Sequence, residues 1–426
     1  MRENTLSAEP REQRAARKCR SLCILAVGLA LVLTAPSALR AAGASVAKPF
    51  ALEIEPPQVI QAGAMFPYLW LLRDGSALLE VSKGNRTFRR PGFEYEQQDP
   101  LYLVSHDGLN SWQPWKEAEH AGELPWIEGS VVQRRDGSVL MFEYIAAKVA
   151  SGQYQGRMWR SSAGWRSFEG PLPFRLSVPG YEEGGGSDQG KPFLAVPWHR
   201  SVIEMPDGSL LAAIYGRFKD DRTPSEYEPV MFRMRSFTVV SHDQGKTWSY
   251  FSTIASAPVE QEGFDEPVMV RLSQGEHRGR LLCLMRTGRL SPVYQSESDD
   301  NGRTWTAAHP LRWMYSKFGH WRDIVGTDPD LVEMHDGTLA ISFGHKPDFE
   351  DDGDFVAFSA DQGQSWTQVT RLSMERTCAY TSLAEIAPGV LYVTYSAGGL
   401  GANPHPRTNR TAQFRVIGQR VRVRPK

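Results

Sequence analysis

Phe264-Asp265-Glu266-Pro267 opens an apolar run, Val268-Met269-Val270. A second run, Leu281-Leu282-Cys283-Leu284-Met285, ends on Arg286. A carboxylate opening one strand and a guanidinium closing the next make a pair of opposite charges at a shared end. The guanidinium fork can hold a carboxylate through two parallel hydrogen bonds. Other stretches carry similar groups. His199-Arg200 follows Pro197-Trp198, Asp328 and Asp330 lie in Gly326-Thr327-Asp328-Pro329-Asp330, and His345-Lys346 follows Gly344. Glu128, Arg217, Asp265 and Tyr380 take comparable places at the start or end of an apolar run. The plainer reading makes Glu266 and Arg286 a bracing ion pair, Tyr380 a core tyrosine and Asp328 and Asp330 turn formers.

What would bring these residues together is repetition. The stretch 263–305 is two apolar runs split by a Gly-containing turn, which reads as an antiparallel hairpin. It closes on Ser298-Asp299-Asp300-Asn301-Gly302-Arg303-Thr304-Trp305. This Ser-x-Asp-x-Gly-x-Thr-Trp turn returns at Ser241 to Trp248 and, with Ser365 for Thr, at Ser359 to Trp366. Weaker forms lie at Ser105 to Trp112, where Leu109 replaces the glycine, and near Ser161 to Phe168. The inner hairpin is more regular, with turn glycines Gly75, Gly137, Gly208, Gly279, Gly337 and Gly389. Four of the six are Asp-Gly, the strongest short hairpin signal. Six copies, roughly 50 to 70 residues apart, predict blades of a propeller.

The blades read as residues 66–115, 128 to about 168, 199–248, 263–305, 328–366 and 380–421, with an extended lead-in over 45–62. Such a segment joins the last blade and removes a free sheet edge. The loop 180–190, rich in Gly, Glu and Asp, is expected over the rim of a cleft. In this geometry the starts of the inner strands and the ends of the second strands meet at one mouth. That selects Glu128, His199, Arg200, Arg217, Asp265, Glu266, Arg286, Asp328, Asp330, His345, Lys346 and Tyr380.

Residues 1–44 stand apart. Arg11, Arg14, Arg17, Lys18 and Arg20 precede an apolar run from Leu22 to Leu33, and Ala42-Gly43-Ala44 offers small residues for cleavage. This predicts a secretory signal peptide and a secreted or periplasmic protein. The run is short for a membrane anchor, and no stable membrane insertion is expected after cleavage. Removing it takes away seven of 48 basic and three of 49 acidic residues, leaving a balance near −5 over 45–426. With no basic block, no nucleic-acid partner is expected. Cys283 and Cys378 read as buried thiols. No Cys-x-x-Cys or His-Glu-x-x-His spacing is present, so no metal or cofactor is predicted. With 12 Trp and 38 Gly and scant helical periodicity, the fold class is all-β, a six-bladed β-propeller of four-stranded antiparallel sheets in one domain, expected as a monomer.

The three well-formed turns and six hairpins resemble the Asp-box (BNR-repeat) sialidase superfamily over nearly the whole of 45–426. In that family the boxes lie far from the pocket, so the resemblance implies structural roles for Asp243, Asp300 and Asp361. It also implies chemistry by a tyrosine nucleophile with a glutamate partner, an aspartate acid/base and three arginines that clamp a carboxylate. Glu266, opening a strand as Glu-Pro, matches the glutamate partner. Arg286 matches the second arginine, and Cys378-Ala379-Tyr380-Thr381-Ser382-Leu383 resembles the segment carrying the nucleophile, which points to Tyr380. Asp99, ahead of Ser105, has the spacing of the acid/base, with Glu94 and Glu96 near it. The chain departs from the family at Met65-Phe66-Pro67 and Gly344-His345-Lys346-Pro347-Asp348, where the other two arginines are expected.

A tyrosine and a glutamate suit each other chemically. A free phenol with pKa about 10 is a poor nucleophile at neutral pH, and a neighbouring carboxylate can take its proton as attack begins. A neutral nucleophile also approaches an anionic sugar without charge repulsion, and sialidases are exceptions to the two-carboxylate rule. Lys346 or Arg217 would add positive charge as substrate-binding groups beside Arg286, with His345, Asp328, Asp330, His199 and Arg200 around them. The expected function is therefore an exo-acting glycoside hydrolase that removes a terminal, acidic sugar from a glycan. Two alternatives stay open: a uronic-acid-active hydrolase or lyase using His199 or His345, and a glycan-binding propeller without catalysis.

Overall fold

The computed structural model describes residues 50–425 except 91–92, 117–123, 125, 185–194, 227–230, 316–319, 346–351 and 399–410. All of these lie in the unit Ala47–Lys426. The expected signal 1–44, Lys346 and the loop from residue 185 onward fall outside the described residues. The described chain is all-β, with one turn of 3-10 helix at Thr411–Gln413.

Six antiparallel inner hairpins form in order. Their strands are Met65–Leu71 with Ala77–Arg90, Val131–Gln133 with Val139–Phe142, and Ala195–Glu204 with Leu210–Phe218. Asp265–Arg271 then pairs with Leu281–Arg286, Thr327–Glu333 with Leu339–His345, and Thr377–Ala387 with Val390–Gly398. Every one of the six turn glycines has a left-handed φ, between 73° and 99°, a conformation that costs glycine no Cβ clash. At Asp74, Asp136 and Asp207 the carboxylate accepts the backbone N–H and hydroxyl of the serine two residues on, at 2.5 to 3.0 Å.

The Ser-x-Asp turns are closed in the same way. Asp300 accepts Thr304 N–H at 2.9 Å, Thr304 O–H at 2.6 Å and Ser298 O–H at 2.8 Å. Asp243 and Asp361 repeat the pattern on Thr247 and Ser365. Trp248, Trp305 and Trp366 donate their indole N–H to Gly245 O, Gly302 O and Gln295 Oε1 at 2.9, 3.2 and 3.1 Å. Leu109, where the fourth turn lacks glycine, still adopts φ 64° and is buried. Burial of its side chain offsets a left-handed backbone that is unfavourable for any residue with a Cβ.

Successive inner strands are stitched to one another. Tyr68 O–H donates to Glu128, Arg200 N–H to Glu128 O, and Met269 N–H to Ser201 Oγ, at 2.6, 2.9 and 2.6 Å. Ser273 N–H donates to Glu333 at 2.6 Å, Leu383 N–H to Asp330 at 2.9 Å, and Leu69 N–H to Ser382 Oγ at 3.2 Å, which returns the series to its first strand. The lead-in behaves as the sequence implies. Phe50–Ile54 and Gln58–Ala62 both pair with the last strand, Phe414–Pro425, so that strand presents no open edge.

The sheets are not uniformly four-stranded. Three are, but the hairpins at Val131 and Leu210 belong to one ten-stranded sheet. Ile145–Ala150 pairs with Gln153–Ser161 and also with Ala195–Glu204, and Glu169–Ser177 pairs with Thr247–Ala255. Edge groups that would otherwise face solvent are satisfied by the neighbouring sheet. A short hairpin, Arg312–Tyr315 with His320–Asp323, is an addition that no turn motif signals.

Candidate active site

A break in the pleat recurs where the inner strands begin. Phe66, Glu128, Arg200, Glu266, Asp328 and Ala379 all have left-handed φ, from 40° to 75°. In five of the six hairpins the strand pairing loses register there. Such bulges turn a side chain away from the direction that strict alternation would give it. Each left-handed non-glycine residue is unfavourable by about 1–3 kcal/mol, and four of these six carry the charges of the site. Two close approaches make it fit. A Cβ on Gly129 would lie 2.5 Å from Arg200 Cα, and one on Gly344 2.2 Å from Ala379 Cα. Glycine at 129 and 344 therefore lets the backbones holding Glu128, Arg200 and Tyr380 pack together.

One half of the site joins residues that lie far apart in the chain. Tyr380 O–H donates to Glu266 Oε1 at 2.7 Å. Arg286 Nη1 donates to the same oxygen at 2.9 Å, and its other edge holds Glu262, with Nε 3.0 Å and Nη2 3.2 Å from the two carboxyl oxygens. Burial, then the Glu266 charge, pushes the Tyr380 phenol well above its ordinary range, so it is neutral. Asp265, buried beside Glu262, is raised by burial and then by that neighbouring charge. Phe66 stands edge-on to the Tyr380 ring, with centroids 4.6 Å apart.

The other half is an ion cluster. Arg200 forks onto Asp328, donating Nε to Oδ1 at 3.1 Å and Nη2 to Oδ2. It also reaches Asp330 at 3.1 Å and Thr381 O at 2.5 Å, and lies over the Tyr68 ring at 4.8 Å. Arg200 and Asp328 are 5 % and 0 % exposed. His199 Nε2 is 2.8 Å from Asp328 Oδ1, and its Nδ1 is 3.9 Å from Glu128 Oε1. Burial works against the His199 proton, but Asp328 and Glu128 outweigh it and push the imidazole up to about 9. Asp328 is itself held low, because Arg200 and His199 overcome the effect of its burial. Between the halves, Tyr144 and Tyr215 touch at 3.2 Å through their hydroxyls. The Tyr215 phenol feels both Glu266 and Glu128.

A pH dependence follows from His199. Folded and unfolded chains both carry the proton below the ordinary imidazole value of 6.5, whereas between 6.5 and about 9 the folded chain holds it and the unfolded chain releases it. Its stabilisation is therefore complete below 6.5 and lost as pH rises through 9. The slope is at most about 1.4 kcal/mol per pH unit. Glu80, raised by burial to about 8, acts in the same direction. Urea unfolding of wild type and His199→Gln across this range should show a steeper loss in wild type. Parallel curves would remove His199 as the source.

The remaining sequence candidates are placed differently. Asp330 accepts from Ser382 O–H and Leu383 N–H at 2.7 and 2.9 Å and ties two hairpins together. Arg217 donates to Glu182 at 2.8 Å and covers the Phe232 ring, with no described contact to Tyr380 or Glu266. His345 is half-buried against Phe355 at the end of its strand. Asp99 is 3.7 Å from Arg86 with its side chain 44 % exposed, on the extended ribbon Phe93–Ser105. No described contact joins it to Tyr380. Sequence reasoning missed Glu262, Tyr68, Tyr144, Tyr215 and Glu80. The three acids at 262, 265 and 266 were the available signal for Glu262.

Comparison with known proteins bears on the whole arrangement. The model of the BNR repeat-like domain matches residues 101–393. No curated protein sequence matches the chain. Among solved structures, a Dyadobacter fermentans protein of unknown function is similar at 17 % identity, covering 88 % of this chain and 99 % of that one, with TM-score 0.57. A Hadza microbial sialidase is similar at 15 % identity, 87 % and 68 % coverage and TM-score 0.56. The GH93 α-L-arabinofuranosidase of Fusarium graminearum, solved with arabinobiose, is similar at 13 % identity, 87 % and 98 % coverage and TM-score 0.56. At these identities the likeness is one of fold.

Proposed function

The chain belongs to the BNR repeat-like domain family, and on that premise we propose that it is an exo-acting glycoside hydrolase on a six-bladed β-propeller. Six left-handed strand starts and the stitching of the sixth inner hairpin to the first support the blade count. The observation that carries the activity is the 2.7 Å bond from the Tyr380 hydroxyl to Glu266. Tyr380 Oη attacks the anomeric carbon while Glu266 takes the phenolic proton, so the nucleophile is uncharged until the bond forms. Arg286 holds the Glu266 oxygen that receives the proton. The reading includes export, supported by the basic and then apolar residues 11–33.

The sugar we assign is uncharged. Glu128, Glu262, Asp265, Glu266, Asp328 and Asp330 gather round Arg200, Arg286 and His199, and each of those cations already contacts a carboxylate. An anionic substrate would have to compete with these carboxylates for the cations, and Phe66 supplies no charge of its own. The sialidase and the arabinofuranosidase both resemble the chain in fold, and the engagement of these cations favours a neutral sugar such as the arabinobiose bound by the second. The sialic-acid reading rests on the Tyr380–Glu266–Arg286 group. A panel of aryl glycosides decides between them. Hydrolysis of a neutral furanoside or pyranoside, with none of the sialoside, is expected. Sialoside hydrolysis alone would overturn the neutral assignment, and an unsaturated uronate product would identify a lyase.

A further inference from the structure

A glycoside hydrolase needs a group to protonate the departing oxygen, and Asp99, half-exposed and beside Arg86, has no described contact with the Tyr380 site. We infer that Glu128 is that proton donor, on the reading of Tyr380 as nucleophile. Its Oε1 accepts the Tyr68 hydroxyl at 2.6 Å, while Oε2 is buried and meets no partner among the described residues. A buried carboxyl oxygen without a partner is costly, and a substrate oxygen that takes its proton would supply the missing bond. The carboxyl is only 12 % exposed and is held rigidly. Glu80 accepts the backbone N–H groups of Ile127 and Glu128 at 2.8 Å each, and this fixes the left-handed turn at Glu128. Arg200 ties Glu128 to the strand of the nucleophile: its backbone N–H donates to Glu128 O at 2.9 Å and its Nη2 to Thr381 O at 2.5 Å, one residue from Tyr380, which sets Glu128 at the same strand junction as the nucleophile.

Burial raises the Glu128 carboxyl against the opposing pull of His199 and Tyr68, so it keeps its proton further toward neutrality than an exposed glutamate. In the first step Tyr380 Oη bonds to the anomeric carbon and its proton passes to Glu266. The bond to the leaving oxygen breaks, its electron pair goes to that oxygen, and the Glu128 proton joins it. In the second step water gives a proton to the Glu128 carboxylate as its oxygen attacks the same carbon. Tyr380 leaves and recovers its proton from Glu266. The sum is glycoside plus water giving sugar plus alcohol.

The test uses two glycosides of whichever sugar the wild type hydrolyses. One has a dinitrophenyl leaving group that needs no proton, and the other has an alkyl leaving group that does. Glu128→Gln should lower kcat/KM on the alkyl glycoside by about 10²- to 10⁴-fold, spare the dinitrophenyl glycoside to within about tenfold, and abolish the basic limb of the pH profile. Asp99→Asn should change neither substrate. Equal losses on both substrates, or an unchanged basic limb, would overturn the assignment. So would the same leaving-group dependence in Asp99→Asn. Should Glu128→Gln not fold, Glu128→Asp keeps the carboxyl, and its basic limb must still shift. A wild type inert on every glycoside sinks the hydrolase reading, and this one with it. A wild type that is active while Glu128→Gln behaves normally sinks only this one.

Discussion

Tyr380→Phe should abolish turnover and leave the fold standing. The substitution removes one oxygen, which makes a single described hydrogen bond, to Glu266 at 2.7 Å. Glu266 keeps its contact with Arg286, so no charge is stranded, and the Phe66 edge contact on the ring survives. The thermal midpoint should therefore move by a few degrees at most, while kcat falls by at least about 10³-fold. The loss belongs in kcat, because the phenolic oxygen forms its bond in the transition state and not on binding. Full retained activity would exclude Tyr380 as the nucleophile. A protein that unfolded would instead make the 2.7 Å contact a structural brace.

The reverse outcome is expected for Arg200→Met, where folding itself should fail or weaken severely. Arg200 supplies two bonds to Asp328 and reaches Asp330 and Thr381 O, all in a region closed to water. Methionine fills much of the same volume but leaves Asp328 buried with only His199 for charge. Breaking a buried pair in this way costs about 3–5 kcal/mol. Removing both charges at once, in Arg200→Met with Asp328→Asn, should cost less than the sum of the single changes, since neither is then stranded. Urea unfolding of the four proteins measures the coupling. A loss below about 1 kcal/mol in Arg200→Met would mean that water reaches the cluster and screens it.

Much of this protein is written locally. The Asp-Gly hairpins and the Ser-x-Asp-x-Gly-x-Thr-Trp turns close through bonds between residues two to four apart, so their spacing alone declares a repeated all-β fold. Glu266 and Arg286 are legible for a related reason. They occupy the same end of one hairpin, and turn and register fix that proximity. Tyr380 is legible only through the resemblance, since its bond to Glu266 spans 114 positions.

Tertiary structure decided the rest. Arg200 meets Asp328 across 128 positions, and Tyr68 meets Glu128 across 60. No local pattern records such meetings, because side chains from different strands converge only when the sheets are stitched together. The left-handed residue at each inner-strand start then turns its side chain out of the two-residue alternation from which a strand is recognised. The same limit explains Asp99: the resemblance points to it through its place ahead of the Ser105 turn, but the ribbon that carries it sets it beside Arg86. Short-range hydrogen bonding specifies the blades, whereas the chemistry of the site depends on where distant strand ends meet.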